Sequence, residues 1–262
     1  MLTILLYLAL GAAAGLLSGL FGIGGGLVIV PVLITTFAVL DMPAEVAIHM
    51  AIGTSLATIV ITSMSAVYAH HQRGNVDWDV VKRLVPGVLI GAYLGGLLAD
   101  QFPAWLLERL LAFFLLAVAL QMIFGFKPDP DRRLPGPLGL TSAGSVIGAL
   151  SALFGIGGAT LTVPFLRWCS VLMNKAVGTS ATLAFPVALG GVTSYILNGW
   201  QHPALPEWTL GYIYLPAFLG IVIASTQCVR FGAALGTKMS QTVLQRSFAG
   251  LLTLLGLRLL LG

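Results

Sequence analysis

A run of glycines interrupts the apolar stretch at the start of the chain, where residues 21–26 read FGIGGG. A second run, FGIGGA at residues 154–159, interrupts a similar stretch in the second half. Each glycine destabilises a helix interior by about 1 kcal/mol relative to alanine. Consecutive glycines also lack the four-residue spacing of glycines that pack helices together. The two runs therefore predict broken helices, in which the backbone itself is needed.

The composition of the chain places these breaks in a membrane. Of its 262 residues, 58% are hydrophobic and 8% are charged, whereas about 25% of the residues of a soluble domain are charged. Apolar segments, most of them long enough to cross a hydrocarbon core about 30 Å thick, predict an all-α polytopic membrane protein. The ten segments cover residues 2–20, 27–40, 46–69, 80–99, 103–126, 138–154, 159–173, 176–197, 209–229 and 242–261. The second and seventh are short, which leaves open whether they are half-helices, re-entrant pieces or full spans.

Several other classes of protein find no support in the sequence. The first apolar segment lacks the basic start and the cleavage site of a signal peptide, so we expect it to belong to the mature fold. Cys169 and Cys228 are far apart and fit neither a disulfide framework nor a metal site. No basic cluster with interleaved aromatic residues indicates a nucleic-acid partner, and no dinucleotide or Walker motif indicates a nucleotide. We therefore expect no cofactor.

The two halves of the chain repeat each other. A shift of 133 residues maps the first glycine run onto the second, Ser18 onto Ser151 and Pro31 onto Pro164. A Gly-Thr-Ser triplet follows each run. Such a match predicts an internal repeat. We expect two membrane repeats of five segments each, residues 1–126 and 138–262, joined by a polar, proline-rich linker at 127–137.

Loop charges predict that the second repeat is inverted relative to the first. The acidic loop near Glu45 corresponds to a basic loop that contains Arg167 and Lys175. Because cytoplasmic loops collect Lys and Arg, the two loops are expected on opposite sides of the membrane. An odd number of segments in each half gives the same inversion. Arg132 and Arg133 in the linker place it in the cytoplasm, so both termini are expected outside.

Each break is predicted to present backbone N–H groups to an anion. Glycine lets the chain leave helical geometry, and Pro31 suits the first turn of a half-helix that would end at Leu40. Unpaired N–H groups and the partial positive charge of a helix N-terminus attract negative charge. Inverted symmetry would bring both breaks to the bilayer midplane. The candidate substrate-binding glycines are Gly22, Gly24, Gly25, Gly26, Gly155, Gly157 and Gly158.

The alternative interpretation of these glycines is close helix packing. Packing is what we expect for the glycines spaced four apart within residues 11–19 and within residues 87–95. Contiguous glycines do not follow that spacing, which favours a broken-helix site at the two runs.

Polar side chains close to the triplets are further candidates for the anion site. The hydroxyl donors at repeat-related positions are Thr54, Ser55, Thr58, Thr179, Ser180 and Thr182. The alternative is that these hydroxyls bond the backbone carbonyl one turn back in their own helix. His49 and its counterpart Asn174 lie one turn before the triplets and either donate to the substrate or sit at the headgroup level. No carboxylate lies deep in an apolar segment, so the sequence shows no buried acidic proton relay.

Two FGIGG cores, each followed by a proline and a Gly-Thr-Ser triplet, make the whole chain resemble the TauE/SafE family. These proteins are bacterial sulfite and organosulfonate exporters, also called the four-toluene-sulfonate uptake permease family. The resemblance implies a secondary transporter of the bacterial cytoplasmic membrane for small sulfur-containing anions such as sulfite or sulfoacetate. Ala159 replaces the last glycine of the first run, so the two half-sites are expected to be unequal.

We therefore expect a transporter, not an enzyme, that exports such an anion by alternating access. Its expected partners are the small anion and the lipid bilayer, while a proton or sodium ion as coupling ion and a homo-oligomeric state are left open. The alternatives are an anion channel or the membrane subunit of a larger transporter, and less favourably an intramembrane enzyme. An enzyme would need a nucleophile or an acid/base pair within reach of each other, and no Gly-x-Ser-x-Gly or His-Glu-x-x-His motif is present.

Overall fold

The computed structural model describes residues 2–21, 26–124, 134–236 and 241–261. Residues 22–25, which include three of the candidate glycines, and most of the linker lie outside the described residues. Within the described ranges the chain is almost entirely helical, which confirms the all-α prediction. The elements are α1 (Leu2–Phe21), α2 (Gly26–Val39), α3 (Ala44–Gln72), α4 (Trp78–Asp100), α5 (Ala104–Phe124), α6 (Pro137–Leu153), α7 (Ala159–Trp168), α8 (Met173–Asn198), β1 (Thr209–Leu210), β2 (Ile213–Tyr214), α9 (Leu215–Gly236) and α10 (Gln241–Leu261).

Length and composition make this a multi-pass membrane protein. Among the described residues, four helices are long and apolar enough to cross a bilayer: α3, α4, α5 and α8. Large apolar side chains also point outward along them, such as Ile90 and Leu94 on α4 and Phe113 and Leu120 on α5, each more than half exposed. An exposed apolar face of this kind is suited to contact with lipid chains. The number of segments that span the membrane stays a prediction.

The two short segments are short helices. α7 has 10 residues and α2 has 14, and at 1.5 Å per residue they are about 15 Å and about 21 Å long. Neither reaches across a hydrocarbon core about 30 Å thick. α7 begins directly after Gly158, and α2 begins at Gly26, the last glycine of the first run.

The predicted start of the half-helix was wrong. α2 begins at Gly26, so Pro31 is its sixth residue instead of lying in its first turn, and Pro164 holds the same place in α7. A proline there removes one helical hydrogen bond. In α7 the preceding glycine, Gly158, adopts the left-handed conformation and starts the helix, which leaves the proline inside it.

The ninth predicted segment also begins too early. Residues 209–214 form a two-stranded hairpin, with Thr209 opposite Tyr214 and Leu210 opposite Ile213. The turn uses Gly211 at φ 56°. The hairpin contains apolar residues, so its sequence resembles the start of an apolar helix although its backbone is not helical. The helix α9 starts only at Leu215.

Spaced glycines bring pairs of helices into backbone contact, which confirms the packing prediction. A methyl group on Gly11 would lie 2.7 Å from the Ile221 Cα atom in α9, and one on Gly15 would lie 2.6 Å from the Ser225 Cα atom. On α4, a methyl group on Gly91 would meet the Ser145 carbonyl oxygen of α6. Contacts this close leave room for hydrogen only.

Helix pairing crosses between the two halves of the sequence. α1 packs along α9, α6 packs along α4, and α5 packs along α10, while α3 and α8 lie against each other at the centre. Thus the first helix of each half pairs with the fourth helix of the other half. Neither half could bury these helix faces alone, so the two halves fold as one body.

Gly91→Ala should destabilise the protein, because the new methyl group has to displace the α6 backbone at Ser145. We expect the free energy of unfolding to fall by about 1 to 3 kcal/mol, the usual range for overpacking. Gly250→Ala is the matched control, since nothing lies within 4 Å of a methyl group there. Thermal unfolding in detergent measures both variants; equal stability of Gly91→Ala and the unmodified protein would contradict the packing described here.

Candidate functional site

The second glycine run forms a true break between two helices. α6 ends at Leu153 and α7 begins at Ala159. Between them Gly155 has φ 68° and Gly158 has φ 74°. Residues other than glycine rarely adopt this left-handed backbone conformation. All of residues 154–158 are buried. The glycines are therefore needed for the path of the chain at this depth.

Backbone hydrogen bonds close the end of α6 but leave the start of α7 open. The Ile156 N–H donates to the Ser151 carbonyl over 2.9 Å, and the N–H groups of Leu161 and Thr162 both donate to the Gly158 carbonyl, over 3.1 Å and 2.9 Å. Within the described part of the chain, four successive N–H groups find no acceptor, those of Gly157, Gly158, Ala159 and Thr160. Buried N–H groups without acceptors are rare in folded proteins.

An unpaired hydroxyl lies beside these N–H groups. Ser151 is fully buried in the last turn of α6, and its Oγ atom has no hydrogen-bond partner among the described residues. That atom is 3.6 Å from the position a methyl group on Gly158 would occupy. A hydroxyl and a helix N-terminus thus meet at one point in the buried interior of the protein.

The start of α2 packs directly against this break. A methyl group on Gly26 would lie 2.5 Å from the Gly155 carbonyl oxygen and 2.9 Å from the Ile156 Cα atom. The Ser55 hydroxyl of α3 donates to the same Gly155 carbonyl over 2.8 Å. The structure therefore brings the end of the first glycine run onto the second break. Gly22, Gly24 and Gly25 lie outside the described residues.

The two triplet threonines hold the loops that lead into α4 and α9. The Thr54 Oγ1 atom accepts a hydrogen bond from the Tyr214 N–H over 2.9 Å, and the Thr179 Oγ1 atom accepts one from the Asp77 N–H over 3.0 Å. Both threonines are fully buried. Their contribution to anion binding stays a prediction; in this conformation they fix loops of the opposite half.

The other predicted polar residues lie in different settings. Thr58 donates to the Ser55 carbonyl over 2.6 Å and Thr182 to the Gly178 carbonyl over 2.9 Å, as in the own-helix alternative. The Ser180 Oγ atom is buried without a hydrogen-bond partner in the described ranges. Asn174 is exposed at the start of α8. His49 is buried near the start of α3, against the hairpin.

The sequence pattern did not identify Ser151 as a candidate site residue. Its position carried a signal, because the repeat maps Ser18 onto it, three residues before each FGIGG core. A serine in an apolar helix more often bonds its own backbone. Only the structure shows that this hydroxyl, unlike that of Ser55, has no internal acceptor among the described residues.

The family model described as "Sulfite exporter TauE/SafE" matches residues 7–259. The chain belongs to the TauE/SafE family. A "Probable membrane transporter protein" of Haemophilus influenzae is 37% identical over 259 residues, which cover 98% of each chain.

More distant relatives have similar names. One from Methanocaldococcus jannaschii is 29% identical and covers 98% of this chain and 95% of its own. One from Bacillus subtilis is 28% identical and covers 99% of this chain and 98% of its own. Both are described as probable membrane transporter proteins. No solved structure matches the chain. This TauE/SafE protein is therefore a multi-pass membrane protein of a transporter family.

Ser55→Ala should destabilise this TauE/SafE protein by about 1 to 3 kcal/mol, because it leaves the buried Gly155 carbonyl without its side-chain donor. Ser63→Ala, on the same helix, is the control: its hydroxyl bonds only the Val60 carbonyl of its own helix, over 3.2 Å. Thermal unfolding of the two variants side by side measures the difference. Two equally stable variants would show that the Ser55 bond does not hold the break.

Proposed function

We infer that this protein is a secondary transporter that exports a small sulfur-containing anion, such as sulfite or an organosulfonate like sulfoacetate. The observation that carries the proposal is the break at the start of α7, where four N–H groups and the Ser151 hydroxyl lack internal acceptors among the described residues. The family description, "Sulfite exporter TauE/SafE", supports the proposed class of anion and the proposed direction of transport.

The chemistry of the break suits a sulfite or sulfonate group. Its oxygens accept hydrogen bonds, and a helix N-terminus carries about half a positive charge. Successive free N–H groups at such a terminus form a ready anion site. A fully charged lysine or arginine at this depth would be costly in the bilayer, whereas backbone dipoles attract an anion without that cost. The site therefore favours reversible binding, which a carrier requires.

The close packing around the break supports a carrier that alternates between two openings. α2 covers the break at Gly26, and Ile59 and Val187 lie against the other glycines. An anion reaches the α7 N-terminus only when these contacts separate. A channel, in contrast, needs a continuous water path past the site.

Inverted repeats would supply the two openings. The halves proposed here are residues 1–126 and 138–262, with the linker in the cytoplasm and both termini outside. Two observations support this arrangement: the pairing of α1 with α9 matches that of α6 with α4, and the Thr54–Tyr214 bond matches the Thr179–Asp77 bond. Each triplet thus holds the loop before the fourth helix of the opposite half.

Ser151→Ala tests the anion site without disturbing the fold, since the hydroxyl it removes makes no hydrogen bond among the described residues. Sulfite, sulfoacetate, taurine, sulfate and a carboxylate analogue would each be titrated in a thermal-shift measurement, because a bound ligand stabilises the native state. We expect sulfite or sulfoacetate to stabilise the unmodified protein. We expect the variant to bind it about tenfold more weakly, as for the loss of one hydrogen bond to a charged ligand.

Ser63→Ala is the matched control for this titration, because its hydroxyl lies on α3 and bonds its own helix. It should keep the affinity of the unmodified protein. Unaltered affinity in Ser151→Ala would remove the break from the mechanism. Failure of every anion to stabilise the unmodified protein would contradict the proposed function itself.

Labelling tests the inverted arrangement. Single cysteines at Glu45 and Asn174, both exposed, should react with a membrane-impermeant maleimide from opposite sides in a background without Cys169 and Cys228. Labelling from opposite sides is expected because the two loops correspond in the repeat but differ in charge. Reaction of both cysteines from one side would rule out the inversion.

A further inference from the structure

His49 has one ring nitrogen that is bonded and one that is free. The side chain is 5% exposed, and its Nε2 atom is 3.2 Å from the Ala99 carbonyl oxygen at the end of α4. A carbonyl can only accept, so Nε2 carries the hydrogen in this bond. The Nδ1 atom has no partner among the described residues and therefore presents a lone pair. A histidine buried only for packing would be expected to have both nitrogens satisfied.

The free nitrogen belongs to a ring that stacks on the hairpin. The His49 and Tyr212 rings are stacked, with centroids 5.2 Å apart and an angle of 30° between the planes. The Tyr212 hydroxyl donates to the Asp100 Oδ1 atom over 2.8 Å. Burial, followed by the bond to Asp100, raises the pKa of Tyr212, so this hydroxyl remains a donor. Asp100 itself is exposed to solvent at the end of α4.

The charged groups around His49 come from several elements. Its own helix brings the backbone carbonyl of Glu45, the end of α4 brings the Asp100 carboxylate, and the segment before the hairpin brings His202, whose ring centroid is 5.9 Å from that of Tyr212. The α8 residue Tyr195 also contacts Tyr212, at 6.2 Å. The other helices packed on α3 carry Glu108 and Arg109 on α5, Lys175 on α8 and Arg230 on α9, whereas α2 and α6 carry no ionisable side chain. The carboxylate that acts on His49 is that of Asp100.

We propose that His49 is a proton-binding site: its Nδ1 atom takes up a proton, and the resulting imidazolium competes with the Tyr212 hydroxyl for the Asp100 carboxylate. The proton adds to the free lone pair, so no bond of the neutral ring has to break first. Asp100 is open to solvent and acts on the ring electrostatically, which favours the imidazolium.

Protonation would change how the hairpin is held on α3. Tyr212 packs against Gly53, where a methyl group would lie 2.9 Å from the Tyr212 carbonyl oxygen. The Thr54 hydroxyl accepts a hydrogen bond from the Tyr214 N–H. α9 begins immediately after this hairpin and packs along α1. A change in the Tyr212–Asp100 bond is therefore passed to α9. α3 also carries Ser55, which bonds the break.

The second half has no histidine at the position equivalent to His49. The repeat places Asn174 where the first half has His49, and an amide does not titrate. A proton would therefore act on one loop only. That a proton drives export by this route rests on the proposed function, while proton binding by His49 does not.

Nuclear magnetic resonance of histidine-labelled protein tests the proposal. The chain has 4 histidines, so single His→Gln variants assign each side-chain signal. In lipid nanodiscs without added anion, the signals would be followed from about pH 4 to about pH 9, which brackets the range in which histidine ordinarily titrates. We expect His49 to titrate. We expect Asp100→Asn to move its midpoint to lower pH, and Tyr212→Phe, which frees the carboxylate, to move it to higher pH.

Asp79→Asn is the matched control, since it removes an exposed carboxylate at the opposite end of α4 and should leave the His49 midpoint in place. His71, exposed and bonded to the Trp78 indole, is the internal reference. A His49 signal that does not change over this range overturns the proposal, as does a midpoint that neither variant moves. Because no anion is present, this failure is separate from failure of the anion site, which Ser151→Ala reports.

Discussion

The structure depends on how the backbone polar groups of a broken helix find hydrogen-bond partners in the buried interior of the protein. In a bilayer, every backbone polar group needs a partner inside the protein. At the break between α6 and α7, the Gly155 carbonyl obtains one from Ser55, and Gly26 packs against the same peptide. This contact fixes α2 and α3 on the second half of the chain. The N–H groups on the other side of the break have no acceptor among the described residues. The bonded carbonyl therefore stabilises the fold, whereas the free N–H groups are the candidate anion site.

The sequence predicted the parts of the fold that follow from local composition. Apolar length located most of the helices, glycine spacing predicted a close helix contact at Gly91 without naming its partner α6, and consecutive glycines located the break at residues 154–158. Errors occurred where tertiary contacts overrode local preference. Pro31 lies inside α2 instead of starting it, and residues 209–214 form a hairpin because α3 and α4 supply contacts for it.

The candidate site could be predicted in kind but not in detail. Ser55 and Ser151 are both serines of apolar helices, yet one donates across the protein and the other has no acceptor in the described ranges. Their partners are set by helices far apart in sequence, which no local pattern records. The same holds for Thr54, whose hydroxyl accepts from a residue 160 positions away. His49 next to this contact makes the two halves chemically unequal, although their helices pair alike.

The most direct measurement is the position of a bound anion. Crystals of the protein grown with 2-bromoethanesulfonate would locate the bromine by anomalous scattering and the sulfonate oxygens by their density. We expect sulfonate oxygens about 3 Å from the N–H groups of Gly157–Thr160 and from the Ser151 hydroxyl, which is the usual hydrogen-bond distance. A sulfonate bound elsewhere, with those N–H groups bonded to protein acceptors, would contradict it.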